Sequence, residues 1–330
     1  IFIIYYMLSY KHSRKKKKMV LFGNCHFNEI RRNIIQYNEI KQNYLPYYIC
    51  INNYIGYGNV ANGKKTSLQD KTYFTDEHLN LLKTADIFIY QNIETNRGFL
   101  NNKEVHKYIK KTCIKIKIPH YRSSIYHYNH YNKPYFKDMK EKTNIIINNK
   151  EKLKFIKNYI DNINNKSYNK QDLDNFINEQ LSHFKKIDNY SDVSMYNFFI
   201  NNWKKIQLIN GRSYPTSYFM FILSKKILEK INIFQNLSLT KMIQNRILIP
   251  KYFGEFSNIP IFNFWYNYNN FLFKNQYYWY SHIPMTNYEF YYLQIKICNE
   301  LGDKYSFNEV VWIDEEKLNI LDEINLIRNI

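Results

Sequence analysis

The stretch MVLFGNCH at residues 19–26 decides the fold of this chain. Its first four residues, Met19 to Phe22, are all apolar, which is typical of a short strand buried on both faces. Gly23 and Asn24 then indicate a turn, and apolar residues recur at helical spacing from Phe27 to Tyr37. The stretch therefore predicts a strand, a tight turn and a helix, which is how a parallel α/β sheet begins.

The same alternation of strands and helices continues to about residue 119. Apolar runs at 47–51, 86–90 and 113–118 predict three further strands, and helical patterns at 75–85 and 102–111 lie between them. Strands that alternate with helices in this way join through right-handed crossovers into one parallel sheet. We therefore predict an α/β fold with a doubly wound parallel sheet that is covered by helices on both faces.

The remaining residues are predicted to be additions to this α/β domain, which spans residues 19–233. An insertion rich in Asn, Lys and Ile at about 144–178 is predicted to be helical, and helices are expected at 193–203 and 216–231. Residues 234–330 are dense in Tyr, Phe and Trp, and we predict an aromatic-rich C-terminal extension that packs on the same domain.

Residues 1–18 have an unusual order, since an apolar run precedes a basic run that ends in four lysines. A signal peptide places its charges before the apolar segment, and ten apolar residues are too few to span a membrane. We predict a disordered or spurious extension before a true start at Met19. The alternative is a polybasic anchor at a membrane surface.

The charge of the chain argues against nucleic acid as its main partner. The formal net charge is +19, but only eight of the 47 basic residues are arginines. Nucleic-acid readers favour Arg for its bidentate geometry, whereas a chain rich in Lys, Asn, Ile and Tyr is what AT-rich codons produce. A small anionic ligand remains possible. No stretch approaches the roughly 18–20 apolar residues of a membrane span.

The cysteines and histidines predict free thiols and no metal site. Four cysteines lie far apart without a C-x-x-C pair, which indicates a reducing, cytoplasmic compartment; they are Cys25, Cys50, Cys113 and Cys298. Cys50 and Cys113 fall inside predicted strands and are expected in the core. His120, His127 and His130 follow the fourth strand, but their spacing is not that of a zinc site.

The turn at residues 23–26 is the candidate site, because open α/β folds bind ligands at the carboxyl ends of their strands. Gly23 allows close backbone approach, and Cys25 begins the helix, where the dipole and the free amides favour a thiolate or a bound anion. Arg31 adds positive potential. The spacing leaves two interpretations of Cys25 open, a nucleophile and a small structural residue in a tight turn.

Other candidates follow strands that end at the same edge of the sheet. Gln91 ends the third strand, where its amide can donate to an oxyanion or a carbonyl or cap a loop. His120 follows the fourth strand and is a candidate general base or substrate contact. Arg122 lies two residues further on and can receive an anionic group.

These residues resemble the WcbI family of capsular polysaccharide biosynthesis enzymes, whose first strand ends in Gly-Asn-Cys-Gln. The resemblance covers roughly residues 19–233. It is carried by five short motifs in order: GNC at 23–25, ADIFIYQ at 85–91, IKIP at 116–119, DV at 192–193 and RSYPT at 212–216. In the family the last motif reads His-Pro-Thr before a helix.

The resemblance implies a fold like that of the SGNH hydrolases, coenzyme A as co-substrate, and acetylation of a sugar. The implied catalytic residues are Cys25, His26, Gln91 and Tyr214. Together with the positions argued from the residues themselves, the predicted cofactor-binding residues are Gly23, Asn24, Arg31, His120, Arg122 and Arg212. Two positions depart from the family, since His26 replaces Gln and Tyr214 replaces His. A phenol with a pKa near ~10 is a poor base, so His26 or His120 would have to serve.

We therefore predict a cytoplasmic glycan biosynthesis enzyme that transfers acetyl from acetyl-coenzyme A to a sugar or polysaccharide hydroxyl. One alternative is an esterase that uses the same site with water as acceptor. The other is a non-catalytic protein that binds glycan or nucleic acid. The sequence identifies neither the acceptor sugar nor the oligomeric state.

Overall fold

The structure is a computed structural model that divides the chain into two compact units. The sheet unit comprises residues 1–120, 187–195 and 220–245, and the aromatic unit comprises residues 121–186, 196–219 and 246–330. The residues that the structure describes are 15–51, 74–93, 100–126, 128, 133–210, 214–234, 236, 261, 263–273, 277–279, 283–301, 325 and 328.

A four-stranded parallel sheet forms the centre of the sheet unit, which confirms the predicted α/β class. Its strands are β1 (Lys17–Gly23), β2 (Tyr44–Cys50), β3 (Ile87–Gln91) and β4 (Ile114–Ile118). They lie in the order β2-β1-β3-β4, so β1 has β2 on one side and β3 on the other. A crevice at the carboxyl edge between two such strands is where open α/β sheets bind ligands.

Four helices of the sheet unit connect these strands: α1 (Cys25–Ile34), α2 (Asn38–Asn43), α3 (Asp76–Thr84) and α4 (Asn102–His106). The first strand begins at Lys17 rather than at Met19, because the Lys18 amide donates to Asp86 Oδ2 at 2.7 Å and the Lys18 carbonyl accepts from the Asp86 amide at 2.8 Å. The second strand begins at Tyr44 and not at Tyr47, and α4 ends at His106, five residues earlier than expected.

The core of the sheet unit follows the alternation of side chains along the strands. Met19 to Phe22 are fully buried, so both faces of β1 are covered. Val20, Phe22 and Phe88 share one cluster with Leu82 of α3 and Val105 of α4. The edge of β4 is extended by Asp192, whose amide donates to the Lys117 carbonyl at 2.9 Å and whose carboxylate accepts from the Lys117 amide at 2.6 Å.

The aromatic unit contains helices and two short antiparallel pairs. The described elements after β4, in chain order, are α5 (Lys133–Asn144), α6 (Asn149–Asn165), α7 (Lys170–Asp188), α8 (Tyr196–Asn202), β5 (Ile209–Asn210), β6 (Tyr214–Pro215), α9 (Ser217–Lys230), α10 (Asn263–Asn269), β7 (Tyr277–Trp279), β8 (Ile283–Met285) and α11 (Asn287–Leu301). Residues 187–188 at the end of α7 and residues 220–230 of α9 belong to the sheet unit, and the other elements belong to the aromatic unit. The predicted helical insertion corresponds to α6 and much of α7, and large parts of the region 234–330 lie outside the described residues.

Stacked and edge-on rings fill the interior of the aromatic unit. Phe184 and Phe199 stack with their ring centroids 4.0 Å apart, and both are fully buried. Trp265 is buried as well, and its Nε1 donates to the Ile125 carbonyl at 2.8 Å. Across the part of the chain that the structure describes, no helix combines the length and apolar character needed to cross a membrane.

Candidate functional site

Asn24 fixes the turn between β1 and α1 through four hydrogen bonds. Its amide donates to Gln91 Oε1 at 2.9 Å, and its side-chain oxygen caps α1 by accepting from the His26 amide at 3.1 Å. Its carbonyl accepts from the Phe27 amide at 3.0 Å and from the Tyr48 hydroxyl at 2.8 Å. Groups from α1, β2 and β3 therefore hold this turn rigidly at the carboxyl edge of the sheet.

Gly23 is needed because α1 lies very close to the end of β1. A Cβ atom at this position would lie 2.2 Å from Cδ2 of Phe27, and two further ring atoms would be within 2.6 Å. Atoms cannot approach this closely, so any other residue would displace the Phe27 ring. The glycine predicted for close backbone approach to a ligand thus has a packing role within the turn itself.

Cys25 is the first residue of α1 and is exposed. The surrounding chain still removes enough water from the thiol to raise its pKa, and the nearby Cys50 raises it further. The amides of Cys25 and His26 lower the pKa by hydrogen bonding, but by less. The helix N-terminus therefore favours the thiolate as predicted, but desolvation has the larger effect and the pKa of Cys25 is raised overall.

Tyr48 and Cys50 of β2 adjoin this turn, and neither contact is visible in the sequence. Cys50 lies opposite Gly23 in the strand register and is half-buried, so it is not the core residue that was expected. Burial, Cys50 and Cys25 all raise the pKa of the Tyr48 hydroxyl. Tyr48 therefore stays protonated and donates to the Asn24 carbonyl. Nothing in the sequence distinguishes it from the adjacent Tyr47.

His26 and His120 meet at the same edge, with their ring centroids 4.9 Å apart. His26 is only 5% exposed, and burial followed by the effect of His120 lowers its pKa well below the usual value of 6.5. Its imidazole is therefore neutral at physiological pH and a weak base. The sequence placed both residues at this edge, but it could not show that they touch or that one of them is buried.

Glu29 is a candidate that sequence reasoning missed. It follows Cys25 by four residues, which places both side chains on the same side of α1. Burial raises the pKa of Glu29 to about 7, although Arg32, whose Nη1 lies 3.7 Å from Glu29 Oε2, opposes the shift. A carboxylate that titrates near neutrality suits general base catalysis. The acidic residue itself is visible in the sequence, but its burial is not.

The other predicted residues are distributed more widely. Arg31 donates from Nε to the Pro46 carbonyl at 3.1 Å, so it ties α1 to β2. Arg122 is exposed and belongs to the aromatic unit. The backbone of Tyr214 lies in β6, but its side chain is not among those described. The predictions for Arg212, His127 and His130 lie outside the described residues.

The four cysteines have different surroundings. Cys113, just before β4, is buried, and its pKa rises to about 11 because of that burial. The side chain of Cys298 is not described, and the other three cysteines are not in disulfides. Within the described ranges, no group of three or more His, Cys, Asp or Glu residues could hold a metal ion.

A parallel sheet with a rigid turn between its strand β1 and α1 defines an α/β protein whose candidate site lies at the carboxyl edge of the sheet. No protein-family model and no curated protein matches the sequence. The chain is similar to a solved structure of WcbI, described as a polysaccharide biosynthesis enzyme and solved as the native protein without a disulfide bond between coenzyme A and a cysteine.

The similarity to WcbI extends over nearly the whole of both chains. It covers 94% of this chain and 99% of the WcbI chain, with a TM-score of 0.58 and 12% sequence identity. At this identity the comparison establishes the fold. The predicted resemblance to WcbI is therefore confirmed as a shared fold.

Proposed function

We propose that this chain is a polysaccharide biosynthesis enzyme that binds coenzyme A and transfers an acetyl group to a sugar hydroxyl. The observation that carries the proposal is the rigid turn at Asn24, which presents the exposed Cys25 beside Gln91 at the carboxyl edge of the sheet. The fold shared with WcbI supports it, because WcbI is described as a polysaccharide biosynthesis enzyme, in a structure without a disulfide bond between coenzyme A and a cysteine. We also propose that the sheet is doubly wound and has a fold like that of the SGNH hydrolases.

Coenzyme A would bind with its sulfur beside Cys25 and its phosphates toward basic side chains. The backbone amides of Asn24 and His26 already donate within the turn. Phosphate binding therefore falls to side chains. Arginine suits phosphate because its guanidinium donates two parallel hydrogen bonds.

Gln91 would stabilise the negative charge that develops during acyl transfer. The sugar oxygen bonds to the thioester carbonyl carbon, the carbonyl oxygen becomes an oxyanion, and the thiolate of coenzyme A leaves. The Asn24 amide holds Oε1 of Gln91, so the NH₂ group of Gln91 is oriented as a donor. Because the raised pKa keeps Cys25 protonated, we propose direct transfer to the sugar rather than an acyl-cysteine intermediate.

Glu29 is our proposed general base, because its pKa of about 7 suits removal of a proton from the sugar hydroxyl. His120 is the next candidate for the general base. His26 is a weaker base than an ordinary histidine because its pKa is lowered. Tyr214 stands where the family has His. If that difference has removed the base, Tyr214→His will raise acetyl transfer. An unchanged rate in Tyr214→His, together with a loss in Glu29→Gln, would place the base at Glu29.

Calorimetry with coenzyme A tests the proposal directly. We expect saturable binding that acetyl-coenzyme A displaces. Gln91→Glu keeps an acceptor for the Asn24 amide but replaces the NH₂ donor with a negative charge, so it should leave the fold intact and abolish acetyl transfer. Cys25→Ser should weaken binding, whereas Cys113→Ser, at the opposite end of the strands, is the matched control.

Each other outcome favours a different function. Hydrolysis of a simple aryl ester without acetyl transfer would favour an esterase that uses the same site. If the folded protein does not bind coenzyme A at all, the acyltransferase proposal fails. Steeply salt-dependent binding to random duplex would then favour a nucleic-acid-binding protein.

A further inference from the structure

Two adjacent tyrosines of β2 lie on opposite faces of the sheet. Tyr47 and Tyr48 pair with Val20 and Leu21 of β1, and successive side chains of a strand point to opposite faces. Tyr47 packs against the apolar cluster that contains Val20. Tyr48 lies on the other face, and its hydroxyl reaches the Asn24 carbonyl at 2.8 Å. The two neighbours therefore have different surroundings, and only Tyr48 contacts the turn of the candidate site.

The hydrogen bond from Tyr48 has a fixed direction. A carbonyl oxygen can only accept, so the Tyr48 hydroxyl donates to Asn24. Burial, followed by the neighbouring Cys50 and Cys25, raises the pKa of this hydroxyl well above its ordinary value. The hydroxyl therefore keeps its proton at every physiological pH, and the donor is always present.

The Asn24 carbonyl and the Cys25 amide belong to the same peptide unit. Such a unit is planar and trans, so its N–H and its C=O point in opposite directions. A contact that fixes the direction of the Asn24 carbonyl therefore fixes the direction of the Cys25 amide as well. Tyr48 makes such a contact.

The Cys25 amide differs from the amides on either side of it. The Asn24 amide donates to Gln91 Oε1, and the His26 amide donates to the Asn24 side chain. The Cys25 amide contacts its own thiol, and no oxygen atom of the described residues accepts from it. As the first amide of α1, it has no acceptor within the helix. It can therefore donate to a reacting group at the carboxyl edge of the sheet.

Tyr48 fixes the Cys25 amide relative to the sheet. The Phe27 amide also donates to the Asn24 carbonyl, at 3.0 Å, but this bond lies in the first turn of α1 and orients the carbonyl relative to that helix alone. The Tyr48 bond comes from β2, which pairs with β1 along its whole length. It therefore sets the Cys25 amide relative to the sheet, and so relative to Gln91, which ends β3.

We propose that Tyr48 is a positioning residue for acetyl transfer, because its hydroxyl holds the Cys25 amide where this amide and the Gln91 NH₂ group together bind the developing oxyanion. The inference rests on the proposed function and adds to it a second donor and the side chain that orients that donor. The sugar oxygen bonds to the thioester carbonyl carbon while its proton passes to the general base. The C–S bond then breaks, and the thiolate of coenzyme A leaves. Oxyanion donors are most effective when they are oriented before the reaction begins.

Steady-state kinetics of Tyr48→Phe test the inference on the full chain, with acetyl-coenzyme A as donor and glucose, galactose and mannose as acceptors. The oxyanion forms only in the transition state, so Tyr48→Phe should lower kcat by about tenfold to a hundredfold and leave KM for acetyl-coenzyme A within about twofold. Tyr47→Phe removes the same group from the adjacent residue and is the matched control. It should keep kcat within about twofold of the wild type.

Nuclear magnetic resonance measures the environment of the Cys25 amide without any substrate. Protein with isotopically labelled nitrogen only in cysteine gives one backbone amide signal for each of its four cysteines. Cys25→Ser identifies the signal of Cys25, and Cys113→Ser that of Cys113. We expect the Cys25 signal to shift in Tyr48→Phe and to stay in place in Tyr47→Phe. The Cys113 signal should stay in place in both.

Four results would overturn the inference: an unchanged kcat in Tyr48→Phe, an unchanged Cys25 signal, an equal loss of kcat in Tyr47→Phe, or a higher KM with kcat intact. An unchanged kcat with a lower melting temperature would assign Tyr48 a structural role alone. Melting curves followed by circular dichroism show that both variants are folded. If the wild type transfers no acetyl group, the proposed function itself fails, whereas the Cys25 signal separately decides whether Tyr48 orients this amide.

Discussion

The sheet unit and the aromatic unit are stabilised by different interactions. In the sheet unit, apolar strand residues such as Met19 to Phe22 are fully buried, and the backbone register fixes their neighbours. In the aromatic unit, large rings fill the interior and their polar atoms need partners. Tyr126 is one example, since its hydroxyl donates to the Trp203 carbonyl at 2.9 Å and accepts from the Leu208 amide at 3.1 Å.

This difference shows how a chain with 33 tyrosines can pack large rings in its interior. A buried phenol or indole contributes a large apolar surface, and its burial costs less when its O–H or N–H finds an acceptor. Tyr126 and Trp265 meet this condition with backbone carbonyls. In the sheet unit the candidate site depends on the close approach of Gly23 to Phe27 and on the hydrogen bonds of Asn24.

The largest expected effect is in the aromatic unit. Phe199 is fully buried and stacks on Phe184, so Phe199→Ala should lower the free energy of unfolding by roughly 3–5 kcal/mol. The adjacent Phe198 is only half-buried, and Phe198→Ala is the matched control with a smaller loss. Denaturant unfolding measures both. Equal losses would show that stacking and burial at Phe199 are not what stabilises this unit.

The close fit in the sheet unit is tested by Gly23→Ala. The new methyl group would meet the Phe27 ring, so we expect a loss of about 2–3 kcal/mol of unfolding free energy. Phe27→Leu in the Gly23→Ala background removes the ring atoms that the new methyl group would meet, so it should recover part of the lost free energy of unfolding. A double-mutant cycle measures that coupling. Additive losses would contradict the idea that the two side chains compete for one space.

The pH dependence of stability tests the burial of Glu29. Its pKa rises from 4.5 to about 7 on folding, so between these values the folded state keeps a proton that the unfolded state has lost. Stability therefore falls as the pH rises through this window and stays lower above it. Glu29→Gln should add on the order of 2 kcal/mol at about pH 8, and much less near pH 4.

The exposed Glu39→Gln is the control for Glu29, because it changes the same charge without burial. Its unfolding curves should match those of the wild type at both pH values. If Glu29→Gln gives no gain at the higher pH, the carboxylate is better solvated than its position on α1 indicates.

Gln91→Ala should have a smaller effect on stability. The variant removes the acceptor of the Asn24 amide at a half-buried position, so we expect a loss of about 1 kcal/mol. Gln91→Glu restores an acceptor and should recover most of that loss, as chemical denaturation would show. An equal loss in both variants would mean that the turn does not depend on this hydrogen bond.

Alkylation of the cysteines gives the finest test, because it leaves the fold unchanged. The pKa of Cys25 is raised, so its reaction with iodoacetamide should accelerate only above the ordinary thiol range. Cys25 is exposed and should still react faster than the buried Cys113, whose pKa is about 11. Mass spectrometry of peptides across a pH series measures both. Rapid reaction of Cys25 near pH 7 would contradict the raised pKa.

Local patterns predicted the sheet well because they depend on neighbours in the sequence. The apolar run before Gly23 predicted β1, and the spacing from Phe27 predicted α1. Boundaries were less accurate where distant groups extend or shorten an element. β1 begins at Lys17 because Asp86 of the α3–β3 connection pairs with Lys18, a contact between residues far apart in the chain.

The candidate site was only partly predictable. The position of the site at the carboxyl edge of the sheet follows from the order of strands and helices, so Cys25, Gln91 and His120 could be placed near one another. The sequence could not show that Gln91 holds the Asn24 amide or that Tyr48 holds the Asn24 carbonyl. Such contacts depend on the register between strands, which local patterns do not specify.

The sequence by itself determined that a strand, a turn and a helix follow one another from Met19 onward, because backbone preference and apolar period are local properties. Tertiary structure alone decided the chemistry of the site. The pKa of Cys25 rises, that of Glu29 reaches about 7, and that of His26 falls. Each shift comes mainly from loss of water, and in Cys25 and His26 also from the partners Cys50 and His120, which are distant in the sequence. Burial and charge are properties of the folded chain.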